Sequence, residues 1–356
     1  VRRLAPIALA VLAALAGPAL GQFEVLPPPP AAAPSAASDD TTPVKAALPA
    51  CGADPFTIAE MGWPSAAILA HIHAAILRTE FGCSVRLVPG EPESTLSSIA
   101  TTRQPAVAPE LWVSRQAEVW NGAMRASSAR AAAPTFSGGP LEAWFVPRYV
   151  IANNPGLAAS ADLVDHWRVF APPGGERARL LSCPADWACA VMTANLAGAL
   201  GLTGRFDIVT PLDRFDLDGR IGEAVARREP VLAYYWQPNA LVETLDLVPL
   251  DMGAVDTTSV QCMGISGCIP FEPSGFPPDT VVIAVAEWVF AQAPDVADYF
   301  ARASMPVEEM NRLLAWQAEQ EAAPDAVAQH FLISGRDIWR QWVGTAPEAE
   351  PGPDAE

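Results

Sequence analysis

Strand-like and helix-like stretches alternate through most of this chain, and their order constrains its fold more than any other feature. Residues 56–60 form a short apolar run, interrupted by Gly62, Trp63 and Pro64. An amphipathic stretch over 65–80 follows, with Pro64 suited to the first helical turn. A second strand is expected at 84–88, a helix at 93–101, and a third strand at 106–112 with Trp112 at its end. Strand, helix, strand in succession implies a parallel sheet. The alternation restarts with a strand over 144–151, helices at 161–167, 190–200 and 219–228, and a buried strand over 231–236. From Thr280 the chain returns to a strand and several helices, clearest at 295–302, 306–320 and 336–343. The expected architecture is two α/β lobes with a ligand in the crevice outside the strand ends.

The two ends of the chain are of different composition. Arg2 and Arg3 precede an apolar run over 4–20, and Ala19-Leu20-Gly21 is a small-x-small cleavage site, so residues 1–21 read as a secretory signal peptide. The mature protein is then expected to start at Gln22. The run is too short for a favoured membrane span, and no cysteine follows it before Cys51 that would mark lipid attachment. Residues 22–51, rich in Pro, Ala and Ser, read as a semi-extended linker, and the acidic, Pro-rich residues 346–356 as a disordered tail. About 295 residues remain, enough for two domains. The formal charge is −18, or −20 once Arg2 and Arg3 leave with the signal peptide. This sign argues against nucleic acid and anionic lipid as partners, and its main effect is solubility.

Six cysteines in an exported chain imply disulfides, with 15 connectivities to choose from. Proximity favours Cys183 with Cys189. Cys262 and Cys268 repeat that spacing, which leaves Cys51 with Cys83. Five intervening residues exceed the two to four usual between paired cysteines of a structural zinc site. His71 and His73, two apart on a helix, point to different faces, and no metal or cofactor is expected. Ser266 lacks the second glycine of a nucleophile elbow, and there is no phosphate-binding glycine loop, so an exported hydrolase is only a distant alternative.

The loop between Cys183 and Cys189 contains Trp187, while Trp112 and Trp236 end strand-like runs. Three rigid indoles from three loops would form a cage that attracts cations. The competing reading of any one of the 11 tryptophans is an ordinary core aromatic. Trp120, Trp144, Trp167, Trp288, Trp316, Trp339 and Trp342 are assigned to core or hinge.

The Cys-x3-Trp-x-Cys loop at Cys183, the segment Tyr234-Tyr235-Trp236-Gln237-Pro238, and Gly275-Phe276-Pro277 before an apolar strand occur together in one order. In these motifs, and over residues 54–345, the chain resembles the substrate-binding proteins of bacterial ABC importers for glycine betaine and related quaternary ammonium compounds. The resemblance implies a two-lobed periplasmic binding protein of type 2, each lobe a mostly parallel sheet flanked by helices, with a hinge of two crossover strands near Trp144 and Pro273. Residues 52–145 with 272–345 would form one lobe and 146–271 the other. It further implies a tryptophan box of Trp112, Trp187 and Trp236, with Trp63 at the cleft mouth as a weaker candidate. Gln116 stands where well-matched relatives have a carboxylate-binding His, so the backbone N–H groups of Ala188 and Cys189, or Arg115, would hold a ligand carboxylate, and Gln116 would suit a hydroxyl. Glycine betaine or a related quaternary ammonium compound is the expected ligand, with choline, carnitine or proline betaine as alternatives; a membrane permease with its ATPase is the partner, the periplasm the location, and a monomer the working form. A sensory binding protein docking to a receptor is the alternative.

Overall fold

The structure is a computed structural model in which residues 50–52, 54–139, 141–268 and 272–344 are described. The expected signal peptide, nearly all of the linker and the tail lie outside the described residues. In chain order the strands are β1 (Phe56–Met61), β2 (Val85–Gly90), β3 (Val107–Trp112), β4 (Ala129–Pro134), β5 (Phe136–Ser137), β6 (Glu142–Pro147), β7 (Ala178–Leu181), β8 (Phe206–Val209), β9 (Ala233–Trp236), β10 (Leu247–Pro249), β11 (Val281–Ala286) and β12 (Met305–Pro306).

Two five-stranded sheets result, ordered β2-β1-β3-β11-β4 and β10-β6-β9-β7-β8, with β12 and β5 paired separately. In the first sheet β1 is parallel to β2 and β3, and β11 is antiparallel to β3 and β4. In the second, β7 is parallel to β8 and β9, and β6 is antiparallel to β9 and β10. Four strands of each sheet therefore run one way and one runs against them. The reversed strand is in both cases the one with which the chain enters that sheet from the other, β6 on the way out and β11 on the way back. Strands joined by helical crossovers must be parallel, whereas an entering strand has no such obligation.

Burial follows the sequence pattern. Strand β11, Val281–Ala286, is apolar throughout and buried throughout, as expected for a strand covered on both faces. The helix Pro64–Glu80 begins with proline, whose missing N–H costs nothing in a first turn. It buries Ile68, Leu69, Ile72, Ile76 and Leu77 between the first sheet and the helix Pro324–Ser334. One core gathers Ile58, Leu111, Val285, Phe300 and Phe331, and a second gathers Phe145, Leu180, Tyr234 and Tyr235. Each sheet thus has its own apolar interior. Disulfides join Cys51 to Cys83, Cys183 to Cys189 and Cys262 to Cys268.

Several expected elements differ. The strand anticipated over 144–151 stops at Pro147, and the helix Arg148–Asn153 follows. Proline lacks the N–H a ladder needs, and here it occupies the extended cap position of the helix. Trp144, expected near a crossing, lies within β6 opposite Tyr234 and is fully buried. The passage between sheets comes earlier, between Ser137 and Glu142, and the return lies between Pro249 and Val281. Strand β4 had no apolar signature because it is built from Ala129, Ala131, Ala132 and Ala133, poor strand formers that its pairing with β11 holds extended.

The two helical histidines separate as their spacing requires. His71 Nε2 lies 3.1 Å from Glu60 Oε1. His73 is fully buried among Phe300, Trp342 and Tyr299, and its Nδ1 shares a 2.6 Å hydrogen bond with the Tyr299 hydroxyl. Burial lowers the His73 pKa from 6.5 to about 3, because the imidazolium would lose its water. A base whose folded pKa is depressed contributes stability that is complete above the unfolded pKa and is lost as pH falls toward the folded one. Between pH 6.5 and about 3, the His73 contribution should therefore decline by up to about 1.4 kcal/mol per pH unit. Denaturant unfolding across that window, compared between wild type and His73→Gln, measures it; identical pH slopes would contradict the assignment.

Candidate ligand cleft

Strand β3 places Glu110 and Trp112 two residues apart, hence on one face of the sheet. Trp63 comes to the same place from β1, as the extended residue capping the helix Pro64–Glu80. Glu110 joins them: its Oε1 accepts a hydrogen bond from Trp63 Nε1 at 2.7 Å and another from Trp112 Nε1 at 2.9 Å. One carboxylate oxygen thereby orients two indoles. Glu110 is 1% exposed, and its Oε2 has no hydrogen-bond partner. Burial raises the pKa of the carboxyl, while the Trp112 and Trp63 donors and the nearby Ser65 hydroxyl oppose the rise. Ser65 lies close enough to favour the ionised form without making an aligned bond to Oε2.

The second sheet contributes Trp236 from the end of β9. Its ring stacks on Tyr235 at 4.6 Å between centroids, and Trp187 meets it edge-on at 5.5 Å. The Arg214 guanidinium lies 5.8 Å from the Trp236 ring centre, held there by Asp218, whose other oxygen accepts the Tyr235 hydroxyl at 2.7 Å. Burial and the Asp218 carboxylate both push the Tyr235 pKa up, so it is a neutral donor. After Trp236 the chain turns through Pro238 and Asn239 into the helix Ala240–Thr244, which packs on the helix Val307–Gln320 of the first core.

Between these walls lies a cleft of about 690 Å³. Trp63, Ser65, Glu110, Trp112 and Gln116 line it from the first sheet, Arg214, Trp236, Pro238 and Asn239 from the second, and Leu314 and Gln317 from the helix Val307–Gln320. The volume is in the range of small-molecule sites. Gln116 is 7% exposed, and neither its Oε1 nor its Nε2 has a partner. Such an unpaired buried amide costs free energy unless a ligand completes it.

The residues singled out in the sequence are distributed unevenly. Trp63, Trp112, Gln116 and Trp236 meet at the cleft. Trp187 is in edge-on contact with Trp236 and is not among the residues lining the cleft. Ala188 and Cys189 open the helix Ala188–Ala199 and do not line the cleft. Arg115 belongs to the short turn Val113–Gln116. Glu110 and Arg214 were missed. The Glu-Leu-Trp spacing, an acid and an indole on one strand face, was the available signal for Glu110. Nothing local marks Arg214, which opens the helix Arg214–Ala226.

A ligand cleft between two α/β lobes, reached by two crossings of the chain, is the architecture of a periplasmic binding protein, here of type 2. A family model described as the substrate-binding domain of ABC-type glycine betaine transport systems matches residues 54–334, and the chain belongs to that family. Solved structures agree on the fold. Apo YehZ from Escherichia coli superposes with a TM-score of 0.56 at 16% identity, covering 81% of this chain and all of that one. A glycine betaine/carnitine/choline ABC transporter protein gives 0.52 at 14% identity over 80% and 99% of the two chains. Lactococcal OpuAC, closed on glycine betaine, gives 0.50 at 11% identity over 82% and 100%. The protein is thus a substrate-binding protein of the ABC-type glycine betaine transport family. Among the described residues no helix is long and apolar enough to cross a membrane, and no group of three or more His, Cys, Asp or Glu is placed to hold a metal ion.

One residue ties the walls together. Asn311, 2% exposed on the helix Val307–Gln320, donates from Nδ2 to Gln237 Oε1 at 3.0 Å and accepts from the Asn239 N–H at 2.7 Å. Asn311→Ala strips the Asn239 N–H of its acceptor and should lower the unfolding free energy by about 2 kcal/mol. Chemical denaturation reads this directly, and a loss below about 0.5 kcal/mol would show that the bridge carries little.

Proposed function

We propose that this protein captures a small quaternary ammonium compound in the cleft between its lobes and presents it to a membrane permease driven by an ATPase. The carrying observation is the convergence of Trp63, Trp112 and Trp236 on one cavity of about 690 Å³. A quaternary ammonium has no N–H, so carbonyls and hydroxyls gain little from it, whereas indole faces supply both electrostatic attraction and dispersion. A primary amine would lose its water there and find only Glu110 Oε2 and Gln116 Oε1 unpaired, fewer acceptors than its three donors. Trp187, on the same lobe as Trp236 and edge-on to it, extends the aromatic wall toward which Trp63 and Trp112 move as the lobes close over the ligand. The setting is the periplasm, with residues 1–21 as the export signal and the folded part acting as a monomer.

Gln116 favours a choline-type ligand over glycine betaine within this class. Its unpaired amide offers both a donor and an acceptor, which suits a hydroxyl, and it lacks the positive charge a carboxylate would seek. Arg214, across the cleft, is the counter-argument; its charge is partly balanced by Asp218, 3.4 Å from its Nε.

Titration calorimetry of the mature chain with choline, glycine betaine, carnitine and glycine tests the reading. A methylated cation should bind and glycine should not. Each indole face contributes roughly 0.5–2 kcal/mol, so Trp112→Ala and Trp236→Ala should each weaken binding by about 2- to 30-fold. Unchanged affinity in both variants would remove the tryptophans from the site.

A further inference from the structure

The least economical feature of the cleft is a buried carboxylate with no cation beside it. Glu110 is 1% exposed, and among the described residues no Arg, Lys or His forms an ion pair with it. If its task were only to hold the Trp63 and Trp112 indoles, a neutral carbonyl oxygen would accept the same two N–H bonds without a buried charge. The second oxygen, Oε2, has no hydrogen-bond partner in the molecule as it stands. On the opposite wall Arg214 forms no ion pair with Glu110; its contacts are with Asp218, 3.4 Å from Nε, and the Trp236 ring, 5.8 Å from its guanidinium.

We propose that Glu110 is the counter-charge of the site: one oxygen fixes the Trp63 and Trp112 rings while the carboxylate supplies the negative potential that selects a cationic head group over an uncharged one of the same shape. The proposal rests on the quaternary ammonium reading above and goes beyond it. Indole faces attract a cation weakly but also grip a neutral tert-butyl group through dispersion. A formal charge in a water-poor cleft separates the two far more sharply. The ligand's charge in turn stabilises the ionised carboxylate, so the missing ion pair of Glu110 is completed by the ligand itself.

Choline and the neutral alcohol in which a quaternary carbon replaces its nitrogen have the same shape and differ in charge, so the ratio of their affinities isolates the electrostatic part. The wild-type chain should prefer choline by about tenfold or more, and Glu110→Gln, whose carbonyl still accepts both indole N–H groups, should lose about tenfold of that preference with the alcohol's affinity little changed. A purely structural role would weaken both ligands equally. An unchanged ratio in E110Q, or a wild-type chain that does not distinguish the pair, overturns the proposal and leaves the functional reading standing. Should E110Q fail to fold, Glu110→Asp carries the test: it keeps the charge but cannot reach both indoles, so both affinities should fall with the preference retained, and a lost preference counts against the proposal. If the wild-type chain takes glycine betaine and not choline, glycine betaine and the carboxylate carrying a quaternary carbon serve as the pair. Silence toward every methylated cation overturns the functional reading and this proposal with it.

Discussion

The chain leaves its first sheet after β4 and returns to it only at β11, and everything else in the molecule depends on that double passage. The first sheet is not a continuous stretch of sequence: its strands β1–β4 and β11 flank the whole of the second sheet, β6–β10, so the chain passes between the lobes twice. The reversed strands β6 and β11 are where the passages arrive. They leave a gap between the two apolar cores, and the gap is the cleft. A single interior would have filled that space with side chains, as close packing demands. Two interiors, bridged at one side by Asn311 and the packing of the helices Ala240–Thr244 and Val307–Gln320, leave a cavity of about 690 Å³ between them.

Within the cleft the polar groups are distributed to serve the indoles. A tryptophan turned toward a solvent-filled space is poorly fixed by packing on one side alone, and its N–H is the only handle for holding it. On the first wall Glu110 takes that handle for both Trp63 and Trp112. On the second, Tyr235 stacks beneath Trp236, Trp187 abuts its edge, and Asp218 braces both Tyr235 and Arg214. Preorganisation of this kind lowers the ordering cost of binding, which matters for a ligand with few atoms to contribute. The groups left unsatisfied, Glu110 Oε2 and the Gln116 amide, are where a ligand's charge and polar end would be read.

Much of the fold was legible because periodicity reports burial. The helix over 64–80, the buried run of β11 and the strand ends at Trp112 and Trp236 all announced themselves through apolar spacing and proline placement. Strand β4 did not, since its alanines have no strand preference and are extended only because β11 lies beside them. Pro147 ended a strand that apolar content alone would have carried to Ile151. In the cleft, Trp112, Trp236 and Gln116 were visible through their motifs, and Trp63 through its position after β1. Ala188 and Cys189, assigned from the disulfide loop, open the helix that Trp187 caps and are not among the residues lining the cleft.

By itself, the sequence determined the elements, the family and the supply of indoles, since each is written in local spacing that short-range sterics and burial convert directly into structure. Tertiary structure alone decided which groups meet. Glu110 and Trp63 are 47 residues apart and share a hydrogen bond because β1 and β3 are neighbours. Arg214 reaches the Trp236 face because one helix begins beside the end of β9. No pattern along the chain encodes such pairings, because they depend on the packing of two sheets and on the order in which the chain crosses between them.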